Sequence, residues 1–206
     1  MDAYIIIGNE VDLSKFDFTN SYVVGVDKGV YYASLAKIRL DMAIGDFDSF
    51  DISKLNLDGT KLKKLNCIKD ETDTHAAIKE LKEFEHIYLL GGIQGKRIEH
   101  FLANLILFKK YPNLIIIDDY SLIRLCNFKE VLSLSEYKYY SFFALEEVIG
   151  LTLNGFKYEL QDYNLKPFDA LCISNELKER NAEISYSKGK LLLIKTKEDR
   201  SIIYEK

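Results

Sequence analysis

Three short segments of this sequence hold residue types that could do chemistry. Gly45-Asp46-Phe47-Asp48-Ser49 places two carboxylates two residues apart, so an extended turn lets both point the same way. Such a pair repels strongly unless a cation sits between them. Magnesium suits it, because it takes hard oxygen ligands and also binds phosphate oxygens. The plainer alternative is a solvated acidic loop. Lys69-Asp70-Glu71-Thr72-Asp73-Thr74 sets three acids just before a helical stretch. Thr72 or Asp70 could simply cap that helix, whose start also favours acids. Capping explains one or two of these residues and does not require all three beside another Asp-x-Asp. Leu90-Gly91-Gly92-Ile93-Gln94-Gly95-Lys96-Arg97-Ile98-Glu99-His100 is a glycine-rich passage between a strand-like run and a helical one. Its exposed backbone N–H groups would suit phosphate. Lys96 and Arg97 add positive charge and bidentate donors. A tight turn with a capped helix is the alternative. Cations for a polyphosphate beside acids for its magnesium make one coherent requirement.

Other chemistries are poorly served. No Gly-x-Gly-x-x-Gly follows the first apolar run, and there is no Gly-x-x-x-x-Gly-Lys-Ser/Thr, so neither a dinucleotide fingerprint nor a Walker-type loop is present. Cys67, Cys126 and Cys172 are odd in number and far apart, which suits small buried hydrophobes in a reducing cytoplasm better than a disulfide framework or a zinc site. His75, His86 and His100 lack the short spacing of a helical metal site. The net charge of −4, from 28 Lys and Arg against 32 Asp and Glu, offers no basic stripe for nucleic acid. No apolar run reaches the roughly 18 residues of a membrane span, and the opening MDAYIIIGNE has no basic segment of a signal peptide. The expectation is a cytoplasmic protein that binds neither nucleic acid nor membrane. Its 206 residues are 48% hydrophobic and 29% charged, ordinary globular composition for one or two domains.

The elements that must position these segments change character along the chain. Short apolar runs at 4–7, 21–26, 42–44, 61–68, 87–90 and 114–117 read as strands. Between them, 29–37, 72–84 and 98–110 have helical spacing, and 51–57 suggests a helical turn. Alternating strands and helices mean βαβ units and a mostly parallel, Rossmann-like sheet. Ligands of such a sheet bind at the carboxyl ends of its strands. The polar residues there are Asn9, Asp27, Asp46, Asp48 and Gly91-Gly92. After about residue 120 the helical period disappears. Strand-like runs lie at 131–134, 138–145, 151–153, 170–173, 182–186 and 190–196. Asn154-Gly155 and Lys188-Gly189 read as hairpin turns. The expected architecture is an α/β domain over 1–122 followed by an all-β antiparallel sandwich over 123–206.

In this order, the segments resemble thiamine pyrophosphokinase. That family shows an Asp-Gly-Gly-like turn, Gly-Asp-Phe-Asp-Ser, an acidic Asp-x-Thr-Asp, a glycine-rich passage ending Arg-x-Asp-His with Leu-Ala-Asn after it, and a later Ser-Asn. Here they read Asp27-Lys28-Gly29, Gly45 to Ser49, Asp70 to Asp73, Gly91 to His100 with Leu102-Ala103-Asn104, and Ser174-Asn175. The resemblance implies transfer of the terminal diphosphate of ATP to the hydroxyl of thiamine, giving thiamine diphosphate and AMP. It implies magnesium on Asp46, Asp48, Asp70 and Asp73, and Arg97 neutralising charge that develops on the phosphates. It places the nucleotide against Asp27, Gly92, Gln94, Arg97, His100 and Asn104, and the thiamine aminopyrimidine against Ser174 and Asn175. It also implies a homodimer, with the vitamin near the junction of domains from neighbouring subunits. Lys28 and Lys96 stand where the family has small residues, and Glu99 where it has Asp. A pyrophosphokinase for a pterin alcohol would keep the phosphate apparatus and change the acceptor pocket. A nucleotide-binding regulator would have little need for four carboxylates around one metal, and a metal-dependent phosphohydrolase would use no acceptor.

Overall fold

The structure is a computed structural model describing residues 1–8, 11–48, 51–66, 70–93 and 97–198. It divides into two units, Met1–Asp119 and Tyr120–Lys206. In the first, apolar runs bounded by Gly, Asp or Ser become short strands: β1 (Ala3–Ile6), β2 (Tyr22–Val26), β3 (Met42–Gly45), β4 (Lys61–Lys64), β5 (Ile87–Leu90) and β6 (Leu114–Ile117). Helices α1 (Lys28–Leu35), α2 (Asp73–Glu80) and α3 (Ile98–Leu107) alternate with them. Neighbouring strands pair in parallel in the order β4-β3-β2-β1-β5-β6. Burial on both faces explains why β1, β3 and β5 are almost wholly apolar, whereas the edge strand β4 reads Lys-Leu-Lys-Lys and is largely exposed.

The chain winds outward from β1 to β4, then returns to the other side of β1 with β5. The sheet's switch point therefore lies between β1 and β5, the place where ligands of such sheets bind at the carboxyl ends. A Cβ on Gly29 would stand 1.8 Å from the Ile6 carbonyl oxygen, so only glycine lets α1 start this close to the end of β1. The helices are shorter than their apolar spacing suggests. α2 stops at Glu80 because Leu81 leaves helical geometry at the C-cap, yet Leu81 is still buried and so keeps the periodic pattern alive. Likewise α3 ends at Leu107, and Phe108 to Tyr111 close as turns. The helical turn expected at 51–57 is a single 3-10 turn, Ile52–Lys54, capped by Asp51.

The second unit contains β7 (Ser121–Leu125), β8 (Lys129–Ser133), β9 (Tyr139–Asn154), β10 (Leu160–Leu165), β11 (Asn181–Ser185) and β12 (Lys188–Thr196), with no helix among its described residues. All these strands pair antiparallel. β9 runs 16 residues. Its first part pairs with β12, which also pairs with β7, and its last part pairs with β10 and β11. Tyr140, Phe142, Val148, Leu151, Leu153, Phe156, Leu191 and Leu193 pack into one core.

Four expectations for this unit need correction. The runs at 138–145 and 151–153 are one strand, because the polar stretch between them is a register shift and not a break. There Gly189 packs so close that a Cβ would lie 2.2 Å from the Glu147 carbonyl oxygen. Asn154-Gly155 does turn the chain, but not as a two-residue hairpin. Glu159 accepts a bond from the Gly155 N–H, Phe156 bridges to Leu177, and β10 begins only at Leu160. Lys188-Gly189 lies inside β12, and β11 pairs with β8 and β9 instead of returning along β12. The run at 170–173 is not a strand. The Asp169 carboxylate accepts a bond from the Leu171 N–H, and only Cys172 faces the core while Leu171 and Ile173 point to solvent.

Candidate active site

Asp27 closes β2 and stands at the N-cap of α1, but its side chain does not cap the helix. Its backbone holds φ 48° and ψ −121°, a conformation that non-glycine residues seldom keep without a reason. The Asp27 N–H donates to the Ile44 carbonyl at 3.0 Å, which ties it to the adjacent strand. Its Oδ1 is buried. A Cβ on Gly45 would stand 2.1 Å from that oxygen, so Gly45 is the residue that makes room for this carboxylate over the end of β3.

Asp46 and Asp48 follow β3 directly. They do not lie in an extended turn: Phe47 between them has φ 58°, and the Asp48 N–H donates to Asp46 Oδ1 at 3.2 Å. Phe47 packs towards the core, which leaves its two acidic neighbours at the rim. The second acidic segment lies in the connection from β4, the neighbour of β3, to α2, but no three of Asp46, Asp48, Asp70 and Asp73 bring ligand atoms within 4.8 Å of one another. Thr72 alone caps α2, its hydroxyl accepting from the His75 N–H at 3.1 Å. Capping therefore accounts for Thr72, Asp73 is half-buried in the first turn of α2 where a helix favours an acid, and Asp70 stands exposed before it. Glu71 pairs with Lys79 instead.

On the other side of β1, Gly91 and Gly92 continue β5 with φ 94° and 77°. Asn104, 4% exposed on α3, directs its amide to the Gly92 carbonyl at 3.4 Å, and a Cβ on Gly92 would meet that amide at 2.8 Å. Asn104 thus holds the shape of the glycine turn. Arg97 stands exposed at the start of α3, where its Nε donates to Glu99 Oε1 at 2.8 Å. That bond holds the Glu99 carboxyl below its usual range. The His100 side chain is exposed. Asn9, Ser49, Lys69, Gln94 and Lys96 lie outside the described residues. Asp118, 5% exposed directly after β6, is a strand-end acid that the motif reading did not include, although the same pattern of an acid after an apolar run marks it.

In the second unit, Ser174 is exposed with φ 52°, and its N–H donates to Ser141 Oγ at 2.9 Å. Asn175 is 3% exposed, and its side chain is occupied within the unit. Oδ1 accepts from the Tyr158 and Glu176 N–H groups, both at 3.0 Å, and Nδ2 donates to the Tyr158 carbonyl at 2.7 Å. Asn175 and the exposed Tyr158 both line a cavity of about 220 Å3 with Leu171, Cys172 and Ile173. Burial pushes the Cys172 thiol up to about 11, so it stays protonated there. Cys126 is buried as well, and both are free thiols.

Residues 15–116 match the family model described as "Thiamin pyrophosphokinase, catalytic domain", and residues 129–191 match that of its "vitamin B1 binding domain". The thiamine pyrophosphokinase of Bacillus subtilis is 32% identical over 199 residues, covering 90% of this chain and 92% of that one. The chain belongs to the thiamin pyrophosphokinase family. Crystal structures of members from Bacillus subtilis and Geobacillus thermodenitrificans are similar to it throughout. The first gives a TM-score of 0.85 at 28% identity over 96% of this chain and 99% of that one. The second gives 0.86 at 27% identity over 97% and 99%. The thiamin pyrophosphokinase of Candida albicans, 16% identical with a TM-score of 0.75, shares the fold. The family is one of diphosphotransferases. Both of its domain families are matched in full order along this chain, and no described helix is long and apolar enough to cross a membrane.

Proposed function

We propose that this chain transfers the diphosphate of ATP to the hydroxyl of thiamine, releasing thiamine diphosphate and AMP. The carrying observation is the distribution of charge about the switch point. Asp27, Asp46 and the acids after β4 lie on one side of β1, and the glycine turn with Arg97 lies on the other. A polyphosphate and its cation need both. The donor set fits magnesium: Asp46, Asp48, Asp70 and Asp73 offer hard carboxylate oxygens, with Asp27 set behind them by Gly45. When bound, the ion would neutralise charge on the phosphate oxygens. Asn104 holds the shape of the glycine turn after β5, while the Gly91 N–H is spent on the Ile117 carbonyl, and His100 would reach the nucleotide from the start of α3. Arg97, released from Glu99, grips phosphate oxygens with its planar fork.

The second unit supplies the acceptor pocket. Ser174 offers its exposed hydroxyl to the aminopyrimidine. Asn175 acts through its hold on the Tyr158 backbone, which keeps that ring beside the cavity as a stacking face. We read the first unit as Rossmann-like and the second as an antiparallel sandwich whose sheets share β9, with a cytoplasmic location; the domain boundary falls at Asp119/Tyr120, since the expected 122/123 would cut β7. A homodimer is supported by α3. Ile98, Leu102 and Ile106 are 64%, 54% and 65% exposed along one stripe. Glu99 lies at one end and Lys109-Lys110 at the other, so two copies packed antiparallel about a two-fold would set acid against lysine.

The test is incubation with ATP, magnesium and thiamine, resolving the nucleotide product. AMP that forms only when thiamine is present supports the reading. AMP that forms only with a pterin alcohol moves the chain to the other acceptor, and no AMP with either acceptor leaves the regulator.

A further inference from the structure

We propose that Asp2, Glu85 and His86 form a second divalent-metal site, of zinc type, at the amino edge of the first unit's sheet. One ligand atom from each of the three residues can be chosen so that all lie within 4.8 Å of one another. His86 Nδ1 stands 3.0 Å from Asp2 Oδ1. Around a tetrahedral zinc with ligands about 2.0–2.1 Å away, neighbouring ligand atoms lie about 3.3 Å apart, so the group needs only small side-chain adjustment to close on an ion.

The backbone holds this arrangement in place. Asp2 and His86 immediately precede β1 and β5, which pair side by side with Ala3 opposite Ile87. The Ala3 N–H donates to the His86 carbonyl, the Glu85 N–H to the Met1 carbonyl, and the Tyr22 N–H to the Asp2 carbonyl. Three strands thus fix the positions from which the ligands reach out. Two carboxylates and one imidazole form a mixed oxygen and nitrogen set, which selects a borderline first-row cation such as zinc over magnesium. The Met1 ammonium stands 3.6 Å from Glu85 Oε2, so an ion would have to displace it from that carboxylate. The four-residue strands separate this edge from the carboxyl ends by about 13 Å, so the two sites need not share an ion. A bound cation would tie the start of β1 to the start of β5.

The experiment is calorimetric titration of the full chain, without an amino-terminal tag, with zinc alone in saturating magnesium. The wild type should take up one zinc that His86→Ala weakens more than about a hundredfold, since losing even an outer-shell partner costs 10–100-fold. Asp2→Asn combined with Glu85→Gln should weaken it comparably. Zinc should raise the melting temperature of the wild type and leave that of either variant in place. The zinc-free melting curves show whether each variant folds, and the two routes to ligand loss keep the proposal testable if one does not. Unchanged zinc uptake in a folded variant, or no uptake by the wild type, overturns the site and leaves Asp2 and His86 as an ion pair only. Diphosphate transfer is not read, so this outcome is separate from that of the AMP assay.

Discussion

The carboxyl edge of the first unit and the irregular passage around Ser174-Asn175 in the second both carry motif residues, but the two regions use them differently. At the carboxyl edge, topology does the positioning. Asp27 and Asp46 directly follow buried strands, so backbone pairing fixes where their carboxylates start. In the second unit residues 170–176 form no strand of their own; isolated backbone pairings of Asn175 with Tyr140 and of Cys172 with Phe142 hold them to β9, and the side chain of Asn175 adds bonds to Tyr158 and Glu176. The difference teaches that a motif side chain can be chemical in one region and architectural in the other, so substitutions should separate activity from stability differently in each.

The largest effect is expected at the edge. Asp46→Asn or Asp48→Asn should lower turnover on the order of a thousandfold or more, as loss of a metal ligand in phosphoryl transfer does. The melting curve should stay in place, because an amide oxygen at position 46 still accepts from the residue 48 N–H. Near-normal turnover in both variants at ordinary magnesium would remove them from the metal site and erase the contrast. Next in size is Arg97→Lys. A point charge in place of the planar fork should cost about ten- to a hundredfold in rate or ATP affinity. Unchanged saturation by ATP would leave Arg97 as a solvated start of α3, paired with Glu99.

In the second unit the two neighbours should part company. Asn175→Ala should lower stability by about 1–3 kcal/mol, the cost of leaving buried partners unmatched, and raise the thiamine KM about tenfold through Tyr158. Ser174→Ala should raise the thiamine KM by a smaller factor with no change in melting temperature. ATP saturation should hold in both. If both variants melt normally and bind thiamine normally, the second unit contributes no acceptor site through these residues.

The smallest expected effect is on pH dependence. Burial holds the His75 imidazole below its usual value against the pull of Glu71, so its neutral form belongs to the folded state. The unfolded chain then binds the extra proton. His75's contribution is fully present above its unfolded value near 6.5 and is lost as pH falls towards the lower folded one. Melting temperatures of the wild type and His75→Gln should therefore converge between about pH 7 and pH 5. Parallel curves would assign the acid sensitivity to the carboxylates alone.

Much of the first unit was legible because parallel strands buried on both faces print continuous apolar runs, and the motifs fall at their ends. What was not legible there was local. The left-handed Phe47 makes Asp46-x-Asp48 a folded turn, and nothing in the sequence showed that Asn104 would bond back to Gly92. The second unit was harder, because antiparallel pairing is not set by order along the chain. Asn154-Gly155 announced a turn, yet Phe156 paired with Leu177, a partner far along the sequence. Gly189 looked like a turn and is instead a close approach to Glu147.

The length of β9 also decides how the second unit comes apart. Its residues are shared between the pairing with β12 and the pairings with β10 and β11, so it cannot detach from one without freeing the other. Amide protons along β9 should exchange only through global opening of the unit, and chain breaks anywhere within it should abolish folding.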